Sequence, residues 1–149
     1  MKIFLPKKIS WLILTFFFTF DAVVSYIAVT RMNGKEANLG IAFAVEKHPL
    51  LYFLTIPGLI IIISLIIKGL TNLSMKLLNK NKLNKEIVEQ IILTAVVIHW
   101  VIANSFMNLI FIIGHRLSII DWYKLSALGL ISAIIYFAYT LSRFKIKSI

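Results

Sequence analysis

Polar and apolar positions divide the chain into four long apolar runs, Trp11 to Val29, Pro49 to Ile67, Ile91 to Ile113 and Leu125 to Leu141, separated by charged connectors. Each run has the ~17–25 residues that carry an α-helix across a hydrocarbon core about 30 Å thick. The runs are too long and too evenly apolar for the alternating strands of a barrel, and a helix satisfies its own backbone groups in lipid. The longest connector, Lys68 to Gln90, is too short for a folded soluble domain. The pattern predicts an all-α polytopic membrane protein: a single domain over residues 1–149 with four transmembrane helices in one bundle.

Shorter features add detail. Leu39 to Val45 is apolar but too short to cross, so it reads as an interfacial or re-entrant piece ahead of Pro49, where helix 2 is expected to start. Pro57-Gly58 near the centre of span 2 predicts a kink or a loosened turn, because proline lacks the N–H that would bond four residues back. Leu70, Leu73, Leu77 and Leu78, with Lys76 and Lys80 among them, suggest a separate amphipathic helix lying on the membrane surface. Asn84 is placed to cap helix 3, with Glu86 and Glu89 near its positive end. Trp11, Trp122 and Tyr123 fall at span boundaries, where amphipathic rings anchor. Met1 to Lys8 ahead of an apolar run imitates a secretory leader. The full-span length of that run, its Asp21 and the lack of a small-x-small cleavage site before Arg31 argue that span 1 is retained.

Composition agrees with this picture. Hydrophobic residues make up 60% of the chain and charged ones 15%, with a mean hydropathy of +0.91, whereas soluble domains carry about a quarter charged residues. The absence of Cys excludes disulfides, thiolate catalysis and Cys-ligated metal. Of the 16 Lys and Arg, eleven flank the outer ends of spans 1 and 4 or sit between spans 2 and 3; the other five occupy the two remaining loops. By the positive-inside rule both termini are cytoplasmic (N-in/C-in), and a multi-pass protein of the cell (plasma) membrane is expected. The net charge of +10 is accounted for by topology, so no nucleic-acid partner is implied. The Lys-rich loop implies attraction to anionic lipid headgroups, about 1 kcal/mol per basic residue near the surface.

Candidate chemistry lies where the spans accept a polar residue. Asp21 sits one residue past the middle of span 1, and an ionised carboxylate there costs about 2.5–3.5 kcal/mol on insertion scales. Ser25 and Ala28 extend a small, polar stripe from it, expected to face the bundle interior. Span 3 supplies His99, Asn104 and Asn108. At ~1.5 Å per residue, Asp21, His99 and Asn104 fall in one layer, but His99 is turned roughly 140° from Asn104 on the helix. Asn104 is the expected partner of Asp21, since its amide can donate to either protonation state. Asp21 has two readings: a packing residue held by hydrogen bonds, or a proton- or ion-coupling carboxylate. Gly129 and Ala133 form a small-xxx-small pair in span 4, beside Ser132.

Motifs for catalysis and cofactor binding are missing. The chain has no Gly-rich phosphate loop, His-Glu-x-x-His, Gly-x-Ser-x-Gly or paired-carboxylate site, and no second His stands where it would make His99 a metal or haem ligand. No catalytic residue, cofactor or metal is therefore expected.

Two resemblances follow from particular residues. Phe20-Asp21, Thr30, Gly34, Glu36-Ala37-Asn38 and His48-Pro49 resemble an uncharacterised family of small archaeal and bacterial four-helix membrane proteins, a domain of unknown function. There a span-1 Asp precedes a Thr, a Gly and a Glu-x-Asn-Pro element, and a later span ends with Asn. Asp21, Glu36, Asn38 and Asn104 or Asn108 match; Leu39 stands where that family has Pro. The resemblance implies four spans and a linked set of polar residues, without an activity. Asn38-Leu39-Gly40-Ile41-Ala42-Phe43 is similar to an Asn-x-Gly-x-Ala-Phe element of the lipoprotein signal peptidases. Where those enzymes have Asn-x-x-Asp-Arg, this chain reads Asn104-Ser105-Phe106-Met107-Asn108, and the second aspartate has no counterpart in span 4. With neither aspartate of the acid–base pair, this likeness implies at most a degenerate, inactive relative.

The sequence thus leads to a non-enzymatic integral membrane protein, a homo-oligomer or an accessory subunit of a membrane complex, with Gly129 and Ala133 as the docking face. The alternative is a small proton- or ion-coupled transporter that uses Asp21, with Pro57-Gly58 as its moving element.

Overall fold

The computed structural model describes residues 4–32, 39–77, 84–112 and 119–146. Among these residues six α-helices follow in order: α1 (Lys7–Arg31), α2 (Leu39–Lys47), α3 (Leu51–Leu77), α4 (Lys85–Trp100), α5 (Phe106–Ile112) and α6 (Ile119–Ile146), with a π-helical segment, Val101–Ser105, joining α4 to α5. No strand occurs among the described residues. Four helical stretches, Lys7–Arg31, Leu51–Leu77, Lys85–Ile110 and Asp121–Arg143, are long and apolar enough to cross a bilayer. The chain is an all-α, multi-pass membrane protein.

The helices outrun the apolar runs at most ends. Their extra turns are built from residues such as Lys7, Lys68, Lys76 and Lys85, whose long stems can lie along the helix while the ammonium reaches water. The separate surface helix expected from Leu70 to Leu78 is therefore corrected: through Leu77 these residues continue α3 without a break, and Leu78 lies outside the described residues. Helix 2 begins at Leu51, not Pro49, because Pro49 and Leu50 form a turn in which Leu51 N–H bonds the His48 carbonyl and Tyr52 N–H the Pro49 carbonyl. Pro57 consequently sits in the second turn of α3, away from its centre, and the helix is assigned as continuous across it. Asn84 caps α4 as expected, its Oδ1 accepting from Glu86 N–H at 2.8 Å. The short apolar stretch is the nine-residue α2, pinned by buried Val45 against Ala22 of α1 and Tyr52 of α3.

The third span is the centre of the arrangement. α4 touches α1, α3 and α6, while α1 and α3 also pack on each other. Leu14 and Phe18 of α1, Ile63 and Ile67 of α3, and Val88, Ile92, Leu93 and Val97 of α4 form the main core. Burial follows this order: 39% of the apolar window of the third span is buried, against 11% for α3. Because lipid is as apolar as Leu, close packing and interhelical polar contacts hold such a bundle together.

Candidate functional site

Spans 1 and 3 run side by side in parallel, and a ladder of side-chain contacts fixes their register. At the end of the bundle that carries Lys7, the Lys7 ammonium bonds Glu89 at 2.6 Å, and Leu5 N–H bonds Thr94 Oγ1 at 3.0 Å. In the middle Phe18 meets Trp100 edge to face, with ring centroids 4.6 Å apart, a geometry that the ring quadrupoles favour. Towards the far end Asn108 Nδ2 donates to Asp21 Oδ1 at 2.6 Å. A carboxylate placed in the membrane thus meets an amide donor from the neighbouring span, as the cost of its burial requires.

Among the described residues the amide that reaches Asp21 is that of Asn108, which corrects the expectation of Asn104. That expectation treats span 3 as a straight α-helix. The π segment Val101–Ser105 intervenes, with Phe106 N–H bonding back five residues to the Val101 carbonyl, and the wider turn rotates everything beyond it relative to an ideal helix. Asn104 lies within that segment and is half-buried, whereas Asn108 follows it and is buried. Ser25 is half-buried on α1, one turn from Asp21 and beside the buried line Ser10, Leu14, Phe18 and Ala22. Glu36 and Asn38 lie outside the described residues, as do Lys80 and Lys82 of the Lys-rich loop.

Polar atoms gather at the edges of the π segment. His99 Nδ1, Trp100 Nε1 and Ser105 Oγ are buried, and none makes a well-formed hydrogen bond among the described residues. Orphaned polar atoms are rare in native structures, and π segments recur at functional positions. The expectation that His99 and Asn104 point different ways holds a consequence that the sequence did not reveal: His99 faces α6. A Cβ built on Gly129 would lie 2.9 Å from the His99 carbonyl oxygen, 3.0 Å from its Nδ1 and 3.4 Å from Ala103 Cβ. Only glycine lets α6 approach α4 this closely. Gly129 and Ala133 are both buried within the bundle, so the docking face expected for a second subunit is used inside the chain.

Two clefts at the Lys7 end were not read from the sequence. One, about 170 Å³, opens between α1, α3 and α4 and is lined by Lys7, Trp11, Ser64, Ile67, Lys68 and Glu89. The second, about 570 Å³, lies between α3 and the start of α4 and is lined by Asn72, Met75, Lys76 and Lys85. The i, i+4 spacing of Ser64, Lys68, Asn72 and Lys76 could have suggested one polar stripe on α3, but it was obscured by reading the latter half as a separate surface helix.

No protein-family model matches the chain, and neither the curated proteins nor the solved structures include a significant match to it.

Proposed function

We propose that this multi-pass protein is a non-enzymatic membrane component that works in association with other membrane chains, as a homo-oligomer or as an accessory subunit of a larger complex. The observation that carries this reading is the outward face of α3. Its apolar window is 11% buried, Pro57 is exposed, and a Cβ on Gly58 would have nothing within 4 Å. A glycine open on a lipid-facing helix leaves space for the backbone of another helix, the kind of close contact that drives association in membranes. Native mass spectrometry of the tagged protein, released gently from its own membrane, tests the reading. A stoichiometric second subunit, lost in Gly58→Leu, is expected; a monomer in both proteins would contradict it.

The proposal includes a plasma-membrane location with both termini cytoplasmic, supported by the bias of Lys and Arg towards the termini and the middle loop. Single cysteines introduced near each terminus should resist an impermeant thiol reagent in intact cells. Labelling of either one without permeabilisation would overturn the orientation.

A second reading is favoured by the π segment, by the three buried polar atoms at its edges that lack a well-formed hydrogen bond among the described residues, and by the Asp21–Asn108 pair. Here Asp21 would couple the passage of a proton or ion to a rearrangement of span 3, because intramembrane carboxylates commonly mark such pathways. Asp21→Asn should then abolish flux in proteoliposomes while the protein stays folded. Wild-type flux in that variant would remove the reading.

A further inference from the structure

The cleft between α1, α3 and α4 combines charge, an apolar wall and position in a way that the helix-packing account does not use. Within it, Lys7 is ion-paired to Glu89 at 2.6 Å, and their side chains are 48% and 23% exposed. Lys68, across the cleft on α3, is exposed and has no ion pair among the described residues. Two lysines and one glutamate leave one net positive charge, the complement of a single phosphodiester. The apolar part of the wall comes from Trp11 and Ile67. Lys7 is the first residue of α1, so the cleft stands at the level where a transmembrane helix leaves the hydrocarbon and an amphipathic indole is at home.

Two buried hydroxyls behind the lining residues do not themselves line either cleft. Ser10 shares a helix face with Lys7, and Thr71 with Ile67, by their i, i+3 and i, i+4 spacing. Both hydroxyls are fully buried and lack a hydrogen-bond partner among the described residues. About two turns beyond Lys68 on α3, the second cleft adds Lys76, and α4 adds Lys85. Four lysines, two of them on α3, thus border the two clefts, with Glu89 the one acidic side chain lining either among the described residues.

We propose that this cleft binds a phosphate-bearing anion, with Lys68 as its direct cationic contact, the Lys7–Glu89 pair as a positioned second contact, and Trp11 and Ile67 against the carbon atoms next to the phosphate. The chemistry is that of a glycerophosphate group, carried by an anionic phospholipid of the surrounding leaflet or by a soluble phosphate ester.

The test uses the full-length protein in nanodiscs of equal parts phosphatidylglycerol and phosphatidylcholine, with the retained lipids read by native mass spectrometry. The wild type should retain phosphatidylglycerol over phosphatidylcholine by severalfold. Lys68→Gln should bring the ratio close to one, and Lys124→Gln, at the far end of the bundle, should leave it unchanged. If Lys68→Gln fails to fold, Lys76→Gln, bordering the adjoining cleft, should still lower the ratio in part. A second arm adds soluble glycerol 3-phosphate: displacement of the lipid assigns the site to soluble esters, and persistence of the lipid assigns it to the membrane. Either outcome supports the anion site only with the Lys68 dependence. Equal retention of both lipids by the wild type, or an unchanged preference in a folded Lys68→Gln, would overturn the proposal.

Discussion

Gly129 and Gly58 are both glycines inside membrane-spanning helices, yet the space around them is opposite. Beside Gly129 the neighbouring helix stands within 3 Å of where a Cβ would be; beside Gly58 nothing stands within 4 Å. The same contrast separates the third span from α3 as a whole. The third span draws its partners from three helices and the residues ahead of the first: Leu5 before α1, Lys7, Phe18 and Asp21 from α1, Ile63 and Ile67 from α3, and Gly129 from α6. On α3 two hydroxyls are satisfied by the helix's own backbone, Thr55 Oγ1 donating to the Tyr52 carbonyl at 2.6 Å and Ser64 Oγ to the Ile60 carbonyl at 2.7 Å. Both spans are apolar enough to cross a membrane. What distinguishes the central helix from the peripheral one is where its polar and small residues find their partners.

The largest effect should come from closing the Gly129 contact. Gly129→Leu must push α6 away from the His99 backbone, and overpacking of this kind costs about 1–3 kcal/mol or more where backbone has to move. Gly58→Leu should leave the unfolding of the isolated chain in detergent within about 0.5 kcal/mol of the wild type, as for substitutions that touch nothing. Denaturant titration followed by helical circular dichroism compares the two, and equal losses would erase the distinction between the spans.

A smaller effect is expected at the polar pair. Asn108→Ala should cost about 0.6 kcal/mol, the average for hydrogen bonds between membrane helices, and no more than about 1.7 kcal/mol, their maximum, and a double-mutant cycle with Asp21→Ala should recover most of it as coupling. The matching cycle with Asn104→Ala should give little coupling. A loss smaller than that at the polar pair is expected for Lys7→Gln: the partly exposed pair with Glu89 is worth about 1 kcal/mol or less, and its contribution should shrink as ionic strength rises.

Much of this architecture was legible in the sequence, because the requirement to bridge a bilayer with a self-satisfied backbone leaves few choices. Four spans, the short α2 segment and the Asn84 cap all follow from run length and local chemistry. Helix ends were less legible, since the apolar run stops where the hydrocarbon stops, while backbone bonding continues into residues such as Lys68 and Lys76. The candidate site was half legible. Asp21 stood out by its cost and span 3 by its amides, but the choice between Asn104 and Asn108 depended on a π turn that no residue pattern announces. The use of Gly129 was hidden for a different reason. A small-xxx-small pair marks a place where helices approach closely without saying whether the approaching helix belongs to the same chain.

The pairing of Asp21 with Asn108 is the rung of the span 1–span 3 ladder that lies beyond the π segment, and the absence of Cys from the chain allows a direct test without background. Cysteines placed at 21 and 108, and separately at 21 and 104, can be oxidised in native membranes and the linked peptides identified by mass spectrometry. The 21/108 pair should cross-link quickly and nearly completely, with the 21/104 pair lagging well behind. Preferential linkage of 21 to 104 would contradict the register and, with it, the placement of the π segment between the two asparagines.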